Sequence, residues 1–101
     1  MSEYSAAEKV LASTLAKTLQ RRRKALNLSQ EQVALKANLD PNHYQLMESA
    51  RSDRKRNSPL NPRLSTLIAL ASVLECSVPD LLDDALLAHA KAKAEEETVL
   101  A

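Results

Sequence analysis

Positive charge is concentrated in the middle of this 101-residue chain. Residues 21–63 contain ten lysines and arginines against four acids, whereas residues 64–101 contain two lysines against seven acids. The whole chain has a net charge of only +1, so the segregation of charge is more informative than the total. A cationic segment followed by an acidic one is typical of a surface that meets a polyanion such as nucleic acid.

Two clusters of basic residues could contact phosphate. The first, Arg21 to Lys24, would fan around a helix axis and so cannot meet one ligand as a group. Cations also suit the C-terminal end of a helix. We therefore expect a structural role for Arg23, and Arg21 and Arg22 are equally compatible with phosphate contact and with solvent. The second cluster lies in a linker, where phosphate contact is favoured over a solvated loop: Arg51, Arg54, Lys55 and Arg56.

The remaining polar residues do not form a pattern typical of catalysis. His43, His89 and Cys76 lack the spacing of metal ligands. Asp83 and Asp84 are adjacent, so on a helix they point apart and do not form a carboxylate dyad. A chain without glycine has no glycine-rich phosphate loop. The sequence thus predicts no enzyme, no metal or other cofactor and no small-molecule substrate.

The elements that position these residues are all expected to be helices. Alanine and leucine are abundant, and glycine, tryptophan and phenylalanine are absent, which favours helix over sheet. Capping residues and apolar periodicity predict an all-α protein of five helices. These run from Ser5 to Leu26, from Ser29 to Asn38, from Asp40-Pro41 to Ser49, from Asn61-Pro62 onward, and from Ser77 to about Glu96.

Two expectations concern the last two helices. In the fourth, apolar residues at helical spacing predict a core-facing side made of Leu64, Leu67, Ile68, Ala71 and Leu74. In the fifth, the segment from Ala88 to Glu97 is rich in alanine, lysine and glutamate, and it is expected to fray.

The second and third helices have the residues of a tight right-angle pair. Ala34 is small enough for the helices to touch, and Asn38 tolerates the left-handed turn between them. The predicted inner face comprises Val33, Ala37, Leu39, Tyr44 and Met47. A third helix that projects polar residues near its N-terminus can enter the major groove of DNA. Its predicted outward residues are Pro41, Asn42, Gln45, Leu46 and Ser49, with His43 at the surface or facing phosphate.

Leu19 to Leu82 resembles the helix-turn-helix domain of the Cro/C1-type phage repressors and the wider Xre family. The matching stretches are LQRRRKALNLSQEQVALKANLDPNHYQLMES and RLSTLIALASVLECSVPDLL. The resemblance implies a five-helix, lambda-repressor-like DNA-binding domain, here with extended first and last helices. It implies that Gln30 braces a phosphate and the recognition helix, that Ser49 lies near the DNA backbone, and that bases are read from Pro41, Asn42 and Leu46. Because Pro41 and Leu46 offer no hydrogen bonds, direct readout is expected from Asn42 and Gln45.

The resemblance also implies a buried ion pair between Arg23 of the first helix and Glu48 at the end of the third. Arg23 follows Leu19 by four residues on one helix face, and Glu48 follows the inward-facing Met47, which agrees with this pairing. Arg22 is the competing partner. Family members often have glycine at the helix-ending positions that are Asn27, Asn38 and Glu75 here. Asparagine suits the left-handed backbone nearly as well, but glutamate does not, so the fourth helix is expected to end differently.

We divide the chain into an N-terminal helical extension (1–14), a helix-turn-helix DNA-binding domain (15–82) and a C-terminal helical extension with an acidic tail (83–101). The expected function is a transcriptional regulator, a repressor or controller, that binds a palindromic operator in double-stranded DNA as a homodimer. Either extension could form the pairing surface, and the last helix is favoured for its Leu82, Leu86 and Leu87.

The alternative is a protein-interaction module of the same fold, such as an antitoxin or a coactivator-type adaptor. A cytoplasmic location with no membrane contact is expected, because Cys76 cannot form an internal disulfide and no apolar stretch is long enough to span a bilayer.

Overall fold

The computed structural model describes residues 4–53, 55 and 58–100, with the side chains of residues 99 and 100 left aside. Over these residues the chain forms five helices, which confirms the all-α prediction. They are α1 (Ala6–Ala25), α2 (Gln30–Lys36), α3 (Pro41–Glu48), α4 (Leu64–Val73) and α5 (Val78–Leu100). No strand occurs in the described segments, where the only bridge of sheet type is an isolated antiparallel one between Arg51 and Pro59.

Side chains cap four of the five helix starts and satisfy backbone N–H groups that have no partner within the helix. Ser29 and Gln32 form the predicted capping box of α2, and Ser77 and Asp80 exchange the same two bonds at α5. Ser5 caps α1 and Asp40 caps α3. The start predicted for α4 was wrong. Its N-cap residue is Arg63, without a side-chain cap, because the Asn61 N–H donates to Ser52 Oγ and belongs to the linker.

The first four helices end in the same way although the chain has no glycine. In each, the residue after the C-cap has a positive φ, and the next N–H donates to a carbonyl five residues earlier; these positions are Asn27, Asn38, Ala50 and Glu75. Asparagine was expected to adopt this backbone. The expectation that α4 ends differently was wrong, since Glu75 has a φ of 58°. A left-handed residue with a Cβ costs about 1 kcal/mol, which Ala50 and Glu75 bear without the local hydrogen bonding open to asparagine.

The core contains side chains from every helix, and the most extensive helix packing in it is between α1 and α5, which run antiparallel. At one end of this pair the Ala7 N–H donates to Glu96 Oε1 at 3.1 Å. At the other, Arg21 of α1 meets Asp84 of α5. The late part of α5 is therefore helical and docked on the start of α1, so the expected fraying of residues 88–97 was wrong. The Glu96 carboxylate accepts from an N–H group at the positive end of α1, a favourable arrangement.

Helix α4 buries a narrower side than the sequence predicted. Leu67, Leu70, Ala71 and Leu74 are buried, but Leu64 and Ile68 are 67% and 56% exposed. The correction has a geometric reason. The four buried positions lie at i, i+3, i+4 and i+7 and cover an arc of about 100°, whereas Leu64 and Ile68 are rotated about 70° and 110° from the centre of that arc.

By length and apolar composition, none of the described helices qualifies alone as a membrane span, although α4 and α5 do so as a pair bent by 117°. The division of the chain at residues 14 and 82 stays a prediction.

Candidate nucleic-acid interface

Helices α2 and α3 pack through the inner face that the sequence predicted. Val33, Ala34 and Tyr44 have no exposed surface, and Met47 is 1% exposed. Ala37 is buried as well, and Leu39 packs against the core from a half-buried position. At the turn, Asn38 takes its left-handed backbone and the Leu39 N–H donates to the Ala34 carbonyl at 2.8 Å. The two helices are thus held by apolar contact and by a fixed turn.

The opposite side of α3 faces solvent. Five of the six predicted outward residues are exposed and Leu46 is half-buried; the exposed residues are Pro41, Asn42, His43, Gln45 and Ser49. Gln45, Leu46, Ser49 and Arg51 line one shallow depression. The Asp40 carboxylate accepts from the Asn42 N–H at 2.7 Å and fixes the first turn. Ser49 Oγ donates to the Gln45 carbonyl, so part of its polarity is used within the helix.

Arg23 and Glu48 form a two-pronged ion pair behind this face. Arg23 Nε donates to Glu48 Oε2 at 2.6 Å, and Nη2 donates to Oε1 at 2.9 Å. The side chains are 13% and 3% exposed. The structure therefore contains the pairing expected from the sequence, with Arg23 and not Arg22 as the partner.

Three further hydrogen bonds converge on the same point. Gln30 Nε2 donates to Glu48 Oε1 at 2.9 Å, and Gln20 Nε2 donates to the Glu48 carbonyl at 2.7 Å. Arg23 Nη1, the remaining nitrogen of the guanidinium, donates to the Leu28 carbonyl at 2.9 Å. We call Gln20, Arg23, Gln30, Tyr44 and Glu48 the Glu48 junction. It ties the end of α3 to both α1 and α2.

Sequence reasoning did not predict Gln20 and gave Tyr44 only an apolar role. Gln20 was detectable in principle, because it precedes Arg23 by three residues and so shares its helix face. The Tyr44 hydroxyl is buried beside the ion pair without a hydrogen bond of standard geometry to any described residue. Burial, followed by the neighbouring Glu48 carboxylate, raises the pKa of Tyr44, so this hydroxyl stays protonated.

The junction also shifts the two charged groups. Burial acts to raise the pKa of Glu48, but the surrounding Arg23, Tyr44 and Gln30 outweigh it and the pKa of Glu48 is lowered. The hydrogen bond to Glu48 raises the pKa of Arg23. Both groups are therefore charged at neutral pH, and each is compensated by the other.

The two arginines before Arg23 do not join the Glu48 junction. Arg21 Nη2 lies 3.5 Å from Asp84 Oδ2, and both side chains are 61% exposed. Arg22 has a buried Nε with no partner among the described residues, and its charge acts on Cys76 and Asp80 at the α4–α5 turn. The sequence left both arginines open between phosphate contact and solvent. In the structure Arg21 contacts α5, and the charge of Arg22 acts on groups of the turn before α5.

The linker after α3 is closed at its base. The Ser52 N–H donates to the Ser58 carbonyl, and the Leu60 N–H donates to the Ala50 carbonyl, both at 2.9 Å. Arg51 is half-buried and lines the depression at the end of the recognition helix, whereas Lys55 in the linker and Arg63 just before α4 are exposed. In the described part of the chain these three cations have no ion-pair partner. Arg54 and Arg56, which the sequence also assigns to phosphate, lie outside the described residues.

Residues 4–53, 55 and 58–100 contain no group of three His, Cys, Asp or Glu side chains placed to hold a metal ion. Comparison with protein-family models, curated proteins and solved structures gives no match to this chain. The resemblance to the Xre family therefore stays a prediction.

Proposed function

We propose that this protein is a sequence-specific DNA-binding transcriptional regulator that binds a palindromic operator as a homodimer. In this proposal α2 and α3 are a helix-turn-helix within a lambda-repressor-like arrangement of the five helices. The observation that supports it most is the pairing of an exposed polar face on α3 with a buried network that immobilises the same helix. Unpaired cations beside that face add to the support.

A recognition helix needs such support. With eight residues α3 is only about 12 Å, or two turns, long. A helix this short is not stable through its own hydrogen bonds alone. Base edges are read by side chains held within hydrogen-bonding distance, so the helix must keep one position relative to the rest of the protein. Asp40 fixes the start of α3, and the Glu48 junction fixes its end.

The exposed face offers a defined chemistry for reading bases. The Asn42 amide can pair with the N6 and N7 edge of adenine, and Gln45 can do the same one turn later. Pro41 and Leu46 can contact thymine methyl groups. Gln30 uses one amide N–H on Glu48, and an amide has a second N–H that the proposal assigns to a phosphate.

Phosphate contacts fix the register on the duplex. The proposal assigns them to Arg51, Lys55 and Arg63 in the described part, and to Arg54 and Arg56 by sequence. One recognition helix spans about half a turn of DNA, which contains too few base pairs to define a unique binding site. Two half-sites about 34 Å apart, bound by two copies, supply the remaining specificity.

Footprinting on DNA upstream of the protein's own gene tests the proposal. Binding should weaken steeply with salt, with a log–log slope of about −5 or steeper for six or more phosphate contacts per dimer. A flat salt response, or the absence of any protected site, would contradict it.

Two matched variants distinguish a residue that reads bases from a residue that only positions the protein on the DNA. Asn42→Ala should weaken operator binding by about 1–3 kcal/mol per half-site and leave binding to random DNA nearly unchanged. Lys55→Ala should weaken both to a similar degree and reduce the salt slope by about 2, because the dimer loses one contact in each copy. Lys93→Ala, an exposed cation on the acidic α5, serves as the control and should change neither. Equal losses on operator and random DNA for Asn42→Ala would show that this residue only positions the protein.

A further inference from the structure

The solvent-facing side of α4 is uncharged along its whole length. Its exposed positions are Leu64, Ser65, Ile68 and Ser72, and no charged residue occurs between Leu64 and Val73. This is unusual in a chain of which 27% is charged. Leu64, Ile68 and Ser72 follow one another at intervals of four and so lie along one side of the helix; we call them the α4 stripe.

The other exposed apolar pair of the described chain has different surroundings. Leu86 and Leu87 on α5 are 54% and 71% exposed, much like Ile68 and Leu64. They lie three to four residues after the exposed Asp83 and Asp84, on the same side of the helix. The two surfaces are therefore matched in apolar exposure and differ in charge.

We propose that the α4 stripe is covered by the α4 stripe of a second copy of this chain, across a two-fold axis. A two-fold interface places each surface patch against the same patch of its copy. A charged patch then meets its own charge, whereas a neutral one meets no repulsion. This favours α4 over α5, the helix that the sequence favoured. Since Ile68 is the middle residue of the stripe, the axis passes beside it and Ile68 faces its own copy.

The location of the stripe agrees with a dimer on DNA. Arg63 and Thr66, one residue before and two residues after Leu64, line one depression together with Asp40 and His43 at the start of α3. The stripe thus begins beside the DNA-facing end of the recognition helix. A dimer that binds one duplex must present both copies of α3 to it, and a pairing surface next to α3 agrees with that requirement. This step rests on the proposed function, whereas self-association itself does not.

The size of the stripe predicts a weak dimer in solution. A ten-residue helix is about 15 Å long, so one face of it offers well below the roughly 800 Å² per partner of a stable interface. We expect dissociation at micromolar concentrations and tighter pairing on an operator, where adjacent half-sites raise the effective concentration of one copy near the other.

Sedimentation equilibrium of the full chain, from micromolar to millimolar concentrations and without DNA, tests the proposal. Ile68→Glu should weaken self-association by about 100-fold, because it opposes two like charges at the axis. Leu87→Glu is the matched control, since it places the same charge on an equally exposed leucine of α5, and it should change the association less than about twofold. Glutamate is a good helix former, and circular dichroism verifies that both variants are folded.

Charge complementation makes the test specific for the axis. Ile68→Lys should also be monomeric, and an equimolar mixture of Ile68→Glu and Ile68→Lys should regain dimers. A wild-type chain that stays monomeric at millimolar concentration, a loss of dimers in Leu87→Glu alone, or no recovery in the mixture would overturn the proposal. If the wild type dimerises through α4 and yet protects no DNA, the proposed function fails and this inference stands.

Discussion

Arg21 and Arg23 lie two residues apart on α1, and each forms an ion pair with a different helix. The Arg23–Glu48 pair has a shortest distance of 2.6 Å and side chains that are 13% and 3% exposed. The Arg21–Asp84 pair has a distance of 3.5 Å, and both its side chains are 61% exposed. Residues two apart on a helix are rotated by about 200°, so one arginine faces α3 and the other leaves the opposite side near α5.

The contrast shows that residue type and position on the helix do not determine how much an ion pair contributes to the stability of the fold. At Glu48, removal of water strengthens the attraction but also makes an unpaired charge costly, so the two partners depend on each other. At Asp84, water screens both charges and replaces either partner. The first pair is expected to fix the position of the recognition helix, and the second to have little effect on the fold.

The largest expected effect comes from breaking the buried pair. Glu48→Ala should lower the free energy of unfolding by about 3–5 kcal/mol, because Arg23 is left buried without its counter-charge. Thermal melting and urea unfolding measure this loss. The double variant Glu48→Ala with Arg23→Met should regain much of the stability. A double variant no more stable than the single one would show that the loss comes from packing and not from a stranded charge.

Acid should weaken the same pair. Because the folded protein lowers the pKa of Glu48 below its ordinary value of 4.5, ionised Glu48 stabilises the fold above that pH. This contribution is lost as the pH falls below 4.5 and through the lowered pKa of the folded state. The difference in unfolding free energy between the wild type and Glu48→Gln should therefore shrink on acidification, as urea titrations at several pH values can show. A difference that stays constant down to pH 2 would contradict the assigned shift.

A smaller change in stability is expected from relieving the backbone strain next to the Glu48 junction, which leaves the ion pair intact. Ala50 follows the junction directly and has a φ of 62°, so Ala50→Gly should raise the unfolding free energy by about 0.5–1 kcal/mol. Asn38→Gly is the matched control at another helix end. It should gain only a few tenths of a kcal/mol, because asparagine already tolerates this backbone. Equal gains at both positions would show that the side chain does not determine the strain.

The smallest effect is expected at the exposed pair. Asp84→Ala and Arg21→Ala should each change the unfolding free energy by at most about 0.5 kcal/mol, and less at high salt. A loss above 2 kcal/mol in Asp84→Ala would remove the distinction between the two pairs. The comparison with Glu48→Ala, measured under the same conditions, is direct, because both substitutions delete one carboxylate that faces an arginine of α1.

The elements that local chemistry determines were predictable from the sequence. Ser29 with Gln32, and Asp40 before Pro41, satisfy backbone groups within a few residues, so their effect does not depend on the rest of the fold. The inner face of α2 and α3 was predictable for a similar reason, because periodicity alone places Val33 and Met47 on the buried side.

The predictions of helix ends failed where a residue forms a hydrogen bond with a different segment of the chain. The start of α4 was misplaced because Asn61 donates to Ser52, nine residues earlier in the linker. The end of α5 was expected to fray, and it is held by Ala7 at the other end of the chain. At the end of α4, Glu75 adopts a left-handed backbone despite a local cost of about 1 kcal/mol, and the Cys76 N–H donates to the Ala71 carbonyl.

The sequence by itself determined that the chain is helical, where most helices begin and end, and which face of α3 points outward, because these depend on interactions over one or two turns. It also contained the segregation of charge. Only the tertiary structure decided that Gln20 joins the Glu48 junction, that the charge of Arg22 acts on Cys76, and that Leu64 and Ile68 remain exposed on α4. Periodicity defines an apolar side of a helix, but how much of that side is buried depends on how many neighbouring helices reach it.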